Sequence, residues 1–270
     1  MIIRMIERSL VYPVPSRERG DWRPRWLRPQ NVWFRAGDET KLHGWYVPHA
    51  DPRRLIVYCH GNGEHVADQA NLVFRLQSHL EATVFVFDYR GYGRSRGKPQ
   101  ERGCIADGLA AQRWLARKEG VSTDDIVVMG RSIGGGVAVA MAAEQGAHAL
   151  LLENTFSRMT DAAAYRFPWL PVRLVMRNRY NSLRRIQQYD GPLFQCHAAA
   201  DEIVPIELGR RLHAASPSPR KQFVEVPFAR HNDSMPPMYY AALAQFLDQV
   251  DDQAADLPEF LRRPERQLVS

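Results

Sequence analysis

Apolar positions along the chain fall into two kinds of run. Short, nearly continuous apolar stretches at 54–60, 82–88, 125–129, 149–152, 192–196 and 222–226 predict strands buried on both faces. Longer stretches with helical spacing fill the gaps at 66–80, 102–118, 137–145, 206–215 and 238–250. Near the start, 31–34 and 41–47 alternate around Ala36-Gly37-Asp38-Glu39, which predicts a hairpin. Strand alternating with helix gives an α/β fold, a mostly parallel doubly wound sheet with helices on both faces. The alternation breaks once. Residues 156–190, with Pro168 and Pro171 and mixed polarity, predict a small helical insertion over the carboxyl edge of the sheet. Residues 251–270 are charged and weakly patterned and are expected to pack loosely after a single domain over 1–250.

Length and composition add limits rather than identity. A chain of 270 residues, 45% hydrophobic and 10% aromatic, suits one globular core. Cys59, Cys104 and Cys196 are odd in number and far apart, so they make neither a disulfide framework nor a metal site, and a cytoplasmic, reducing setting is expected. The start, Met1 to Arg8, is too short and too charged for a signal peptide or span, and no other stretch approaches span length. The net charge of +6 is uneven: residues 1–35 carry +5, residues 156–190 another +5, and the remainder −4. Solvated surface arginines are the plainer account of these segments. A weak peripheral contact with anionic membrane or an acidic substrate stays open. No nucleic-acid module is present, so nucleic acid is not an expected partner.

The strand ending at Met129 runs into Gly130-Arg131-Ser132-Ile133-Gly134, the G-x-S-x-G pattern, and then into a helix. Such a turn lifts a serine hydroxyl above the sheet at a helix amino terminus, with glycines relieving the crowded backbone. The stretch lacks the G-x-G-x-x-G of dinucleotide sites and the Gly-Lys-Ser/Thr end of phosphate loops. A nucleophilic Ser132 needs a base and an acid, which in an α/β-hydrolase follow in the order serine, acid, histidine. Of His148, His197, His213 and His231, only His231 lies in a loop between the last strand and the last helix, at the carboxyl edge. Among the acids, Asp201 follows the penultimate strand and is preferred. Glu153 is the alternative, Glu202 is expected to face solvent, and Asp233 is too close to His231 in sequence. The oxyanion donors are expected to be the N–H groups of Ile133 and of Asn62, in His60-Gly61-Asn62-Gly63. His60 reads as a loop anchor, and Asp88 to Ser95 as scaffold for the site wall.

His-Gly-Asn-Gly (60–63), Asp-Tyr-Arg-Gly-Tyr-Gly-Arg-Ser (88–95), Gly-Arg-Ser-Ile-Gly-Gly (130–135), Asp-Glu-Ile-Val-Pro (201–205) and His-Asn-Asp (231–233) together resemble one branch of the α/β-hydrolase superfamily. That branch holds small-lidded serine hydrolases, including acyl-protein thioesterases and serine aminopeptidase-like members. The resemblance runs from about Ser9 to the last helix. It implies the α/β-hydrolase fold with a small helical lid, Ser132, Asp201 and His231 as the triad, and a small-molecule acyl ester or thioester as substrate. It implies no metal or cofactor. Some relatives start with a membrane anchor or palmitoylated cysteines, and this sequence starts with neither. Phe167, Trp169, Leu170 and Leu174 of the insertion are expected either to wall an acyl site or to cap the core. Two rival readings remain. A peptidase would want an acidic anchor for a free amine, where the insertion is arginine-rich. A silent scaffold binding a lipid or a partner would have no use for a triad in order.

Overall fold

The computed structural model describes residues 2–255. Eight strands form one sheet: β1 (Gln30–Arg35), β2 (Lys41–Val47), β3 (Arg54–Cys59), β4 (Ala82–Phe87), β5 (Val127–Arg131), β6 (Leu150–Glu153), β7 (Leu193–Ala198) and β8 (Lys221–Val226). Their order across the sheet is β1-β2-β4-β3-β5-β6-β7-β8. The hairpin β1–β2 is antiparallel, as is the pairing of β2 with β4, and every pairing from β4 to β8 is parallel.

The continuous apolar runs follow from burial on both faces. Leu55, Val57 and Cys59 of β3 enter one core while Ile56 and Tyr58 enter the other. Val128, Leu150 and Leu152 side with the first, Val127, Met129 and Leu151 with the second. Helices α3 (Glu101–Glu119), α4 (Ile133–Gln145) and α8 (Ile206–Ala215) cover the first face, and α2 (Ala70–Leu80) and α9 (Pro237–Ala255) the second. The insertion between β6 and β7 is helical, as its sequence suggests, with α5 (Met159–Arg166), α6 (Val172–Val175) and α7 (Ser182–Arg185).

Boundaries depart from the sequence pattern where side chains intervene. The helix expected over 66–80 begins as a 3-10 turn at Val66–Asp68, opened by the Asp68 carboxylate accepting the His65 N–H at 3.0 Å, and α2 follows from Ala70. Helix α4 starts at Ile133 rather than at 137, carrying Gly134, Gly135 and Gly136 in its first turn despite their poor helix propensity. Helix α9 runs past Val250 to Ala255. There Asp251 is engaged by Arg54 at 2.8 Å and His148 at 2.7 Å, so the start of the expected loose tail is tied to the body. Residues 256–270 lie outside the described residues.

The pattern gave no signal for α1 (Ile2–Val11), which straps the insertion to the sheet edge. The Glu7 carboxylate accepts the backbone N–H groups of Arg177 and Asn178, both at 2.8 Å. Tyr12 Oη donates to Asn178 Oδ1 at 3.0 Å, and the carbonyl of Val11 accepts Asn62 Nδ2–H at 2.7 Å.

Candidate active site

Ser132 stands between β5 and α4 with φ +54°, a left-handed conformation that a serine adopts only where its surroundings dictate it. Those surroundings are tight. A Cβ on Gly130 would strike the Gly134 backbone, and one on Gly134 would strike the carbonyls of Cys59 and His60. Each glycine of the pentapeptide is therefore required by a close backbone approach. The turn is pinned by the Ser132 N–H donating to the Glu153 carbonyl at 2.9 Å, and by Thr155 Oγ1–H donating to the Ser132 carbonyl at 2.7 Å.

His231, in the loop after β8, comes within 3.1 Å of Ser132 Oγ through Nε2. Its Nδ1 lies 2.7 Å from Asp201 Oδ2, so with Nδ1–H donating to Asp201, Nε2 is free to accept the serine proton. His231 and two residues 30 and 99 positions before it thus form one hydrogen-bonded line, with all three side chains buried or nearly so. Asp201 Oδ1 accepts the N–H groups of Ile203 at 2.9 Å and Val204 at 2.7 Å. Burial alone would raise this carboxyl. Hydrogen bonds from His197 and His231 and from the Val204 N–H outweigh it and hold Asp201 well below the usual carboxylate range.

The other sequence candidates lie elsewhere. Glu153 is buried at the end of β6, with its carboxyl raised by that burial, and among the described residues no hydrogen bond or ion pair joins it to His231. Glu202 is exposed, as expected, although Oε2 accepts the His231 N–H at 3.4 Å. Asp233 accepts the Arg230 N–H at 2.8 Å. His60 is fully buried against Tyr89 and Tyr92, a loop anchor whose imidazolium burial disfavours.

Asn62 and Ile133 both border the cavity above Ser132. As the first helical residue of α4, Ile133 has an N–H with no carbonyl a turn behind it. The Asn62 side chain is fixed from two sides: Nδ2–H donates to Val11, and Oδ1 accepts Tyr92 Oη–H at 2.7 Å. The turn from Asp88 to Ser95 is scaffold, as its sequence suggests. The Asp88 carboxylate accepts the N–H groups of Val66 at 2.9 Å and Arg94 at 3.2 Å, and Tyr89 Oη–H reaches the His60 carbonyl at 3.0 Å.

Sequence reasoning missed four residues around this line. Arg131 ion-pairs with Glu64 and donates to the His231 carbonyl at 2.7 Å and to Asn232 Oδ1 at 3.0 Å. Glu64 in turn accepts the Gly61 N–H at 3.0 Å, so the pair clamps the Asn62 loop to the His231 loop. Asn154 donates to the same His231 carbonyl at 3.0 Å and accepts the Ala198 N–H at 2.9 Å, joining the ends of β6 and β7 to that loop. His197 sits buried 3.4 Å from Asp201. The only signal for Arg131 and Glu64 was their place inside two glycine-rich motifs.

A cavity of about 960 Å³ opens above Ser132, walled by Val11, Phe156, Phe167, Leu170, Val172 and Met176 among others. Of the two placements considered for the insertion's apolar residues, Phe167 and Leu170 take the cavity wall. Trp169 and Leu174 do not line the cavity, nor do they cap the core; they are 74% and 82% exposed. Among the described residues no helix is long and apolar enough to cross a membrane.

Comparison with known proteins places the fold. The family described as alpha/beta hydrolase fold matches residues 54–178. An uncharacterized protein of Mycobacterium tuberculosis is 35% identical over 242 residues, covering 86% of this chain and 83% of the relative. The alpha/beta hydrolase domain-containing protein WAV2 of Arabidopsis thaliana is 30% identical over 241 residues, covering 81% of this chain and 78% of the relative. Among solved structures, an esterase of Pyrococcus furiosus superposes with a TM-score of 0.73 at 21% identity, covering 87% of this chain and 96% of its own. With its sheet order, its serine turn and these relatives, the chain belongs to the α/β-hydrolase family.

Proposed function

We propose that this protein is a serine hydrolase that cleaves the carboxylic ester or thioester bond of an acyl substrate through an acyl-enzyme intermediate. The observation that carries the reading is the hydrogen-bonded line from Ser132 through His231 to Asp201, ending beneath an apolar cavity. Ser132 Oγ attacks the carbonyl carbon while His231 Nε2 takes its proton, and Asp201 holds the imidazole tautomer and stabilises the imidazolium. The N–H groups of Ile133 and Asn62 stabilise the tetrahedral oxyanion. His231 then protonates the departing alcohol or thiol. Water deprotonated by His231 attacks the acyl-serine, and collapse of the second tetrahedral species releases the acid and restores Ser132.

The cavity supports the substrate class. Its volume is at the upper end of the ~300–1,000 Å³ of small-molecule sites, and its walls are mainly aliphatic and aromatic. Such a space rewards burial of an acyl chain, at roughly 0.8 kcal/mol per methylene. The test is a panel of p-nitrophenyl esters and acyl thioesters, acetyl to palmitoyl, run on the wild type and on Ser132→Ala, with fluorophosphonate labelling in parallel. Turnover and labelling are expected in the wild type and lost in Ser132→Ala. A wild type that neither labels nor turns over any chain overturns the proposal.

A further inference from the structure

The mouth of the cavity carries side chains that the hydrolytic chemistry does not need at the surface. Leu10 of α1, Leu170 and Val175 line the cavity and are also exposed. Trp169 and Leu174, each next in sequence to one of these, project outward without lining it. Five large apolar side chains from two distant chain segments therefore gather at one opening, whereas exposed apolar residues on a monomer ordinarily scatter singly.

The exposed charge around this opening is mainly positive, with Arg166, Arg173 and Arg177 exposed against Glu202. Arg166 lines the mouth, Arg177 follows the lining residue Met176, and both are exposed; among the described residues neither makes an ion pair. Arg173 is exposed too, with Asp161 at 3.2 Å. Of the nearby acids, Asp161 is buried, Glu7 is half-buried and Glu202 is exposed. Glu7 is held by the Arg177 and Asn178 N–H groups, Asp161 by Arg173, and Glu202 accepts the His231 N–H. The insertion as a whole carries +5.

These two properties select the occupant. A second copy of the chain would bring the same arginines face to face, a like-charge contact that opposes association. An anionic lipid surface satisfies both at once, its headgroups meeting the guanidinium groups and its acyl boundary accepting Trp169, Leu170 and Leu174. We infer that the rim formed by Leu10, Trp169, Leu170, Leu174 and Val175 with Arg166 and Arg177 is a docking face for an anionic lipid surface, from which acyl chains enter the cavity. Only the last clause rests on the hydrolase reading.

The experiment sediments Ser132→Ala protein with vesicles of phosphatidylcholine, with and without phosphatidylglycerol, at low and high salt. Pelleting is expected with the anionic vesicles, falling as salt rises. The pairs Arg166→Gln with Arg177→Gln, and Trp169→Ser with Leu174→Ser, are each expected to weaken partition by about tenfold or more while thermal unfolding stays unchanged. In the otherwise wild-type chain, Trp169→Ser with Leu174→Ser should keep turnover of a water-soluble short-chain ester and lower that of an ester held in anionic vesicles. No pelleting at low salt overturns the inference. So does pelleting that both double variants leave intact, since the contact would then lie elsewhere, or a dimer that Leu174→Ser dissociates, since a second copy would then hold the face. Pelleting lost in both double variants, with neither ester hydrolysed by the wild type, upholds the docking face and removes the hydrolase reading alone.

Discussion

At the scale of single residues, Asp201 is the most constrained side chain of the site. Two backbone N–H groups and two imidazoles converge on its carboxylate, and together they overcome a burial that by itself would favour the neutral acid. Asp201→Asn is expected to leave the fold and lower kcat by about 10⁴-fold, as loss of the orienting acid misplaces the histidine proton; steady-state kinetics on the preferred ester measures it. Stability carries a matching sign. The folded carboxyl is depressed, so its contribution is complete above the unfolded value of about 4 and is lost as pH falls towards the folded one. Acid unfolding followed by circular dichroism should show the wild type losing its advantage over Asp201→Asn only below that point. Arg131 acts through others, so it is a positioning residue. Arg131→Met removes the clamp between the Asn62 and His231 loops and leaves Glu64 without its guanidinium partner. The expected result is a fall in kcat of about 10²-fold with a smaller change in KM, a split that mere loss of folded protein would not produce. The line of Ser132, His231 and Asp201 was legible because chain order and loop position single out three residues. Arg131, Asn154 and His197 were not, because an arginine, an asparagine and a histidine carry no pattern until folding brings their partners within reach.

At the scale of elements, α4 shows sequence propensity yielding to packing. Three glycines in its first turn cost helix stability, and each stands where a neighbour comes close: Gly134 faces the carbonyls of Cys59 and His60, Gly135 the Thr155 side chain, and Gly136 the rings of Tyr180 and Phe156. Gly134→Ala adds a good helix former and is nevertheless expected to destabilise, by about 1–3 kcal/mol, through overpacking against backbone that cannot turn aside. Urea unfolding monitored by tryptophan fluorescence gives the sign, and a more stable variant would contradict this account. The strands and long helices were readable because burial on both faces, or on one helical stripe, prints a period on the sequence. Helix α1 was not. Its place is set by Glu7 capping two N–H groups of the insertion and by the Val11 carbonyl holding Asn62, contacts with partners 170, 171 and 51 positions away.

At the scale of the whole molecule, the three thiols report on the integrity of the sheet and its helices. Cys59 lies in β3, Cys196 in β7 and Cys104 in α3, all buried, and burial is the main reason their pKa values are raised, Cys104 to about 12. None should react with Ellman's reagent in the native state except through opening, so labelling is expected to track global unfolding across a urea series. Faster reaction at one cysteine would show that its element opens separately. The sequence by itself determined the class of fold, the succession of strands and helices, the insertion and the residues of the serine, acid and histidine line, because hydrophobic period and motif order are local properties of the chain. Only the tertiary structure decided which side chains clamp that line, that α1 straps the insertion, and that Phe167 and Leu170 face the cavity while Trp169 and Leu174 face outward. Those outcomes depend on distances between segments remote in sequence, and on how the connection between α5 and α6 and the single turn of α6 settle over the sheet edge beneath them.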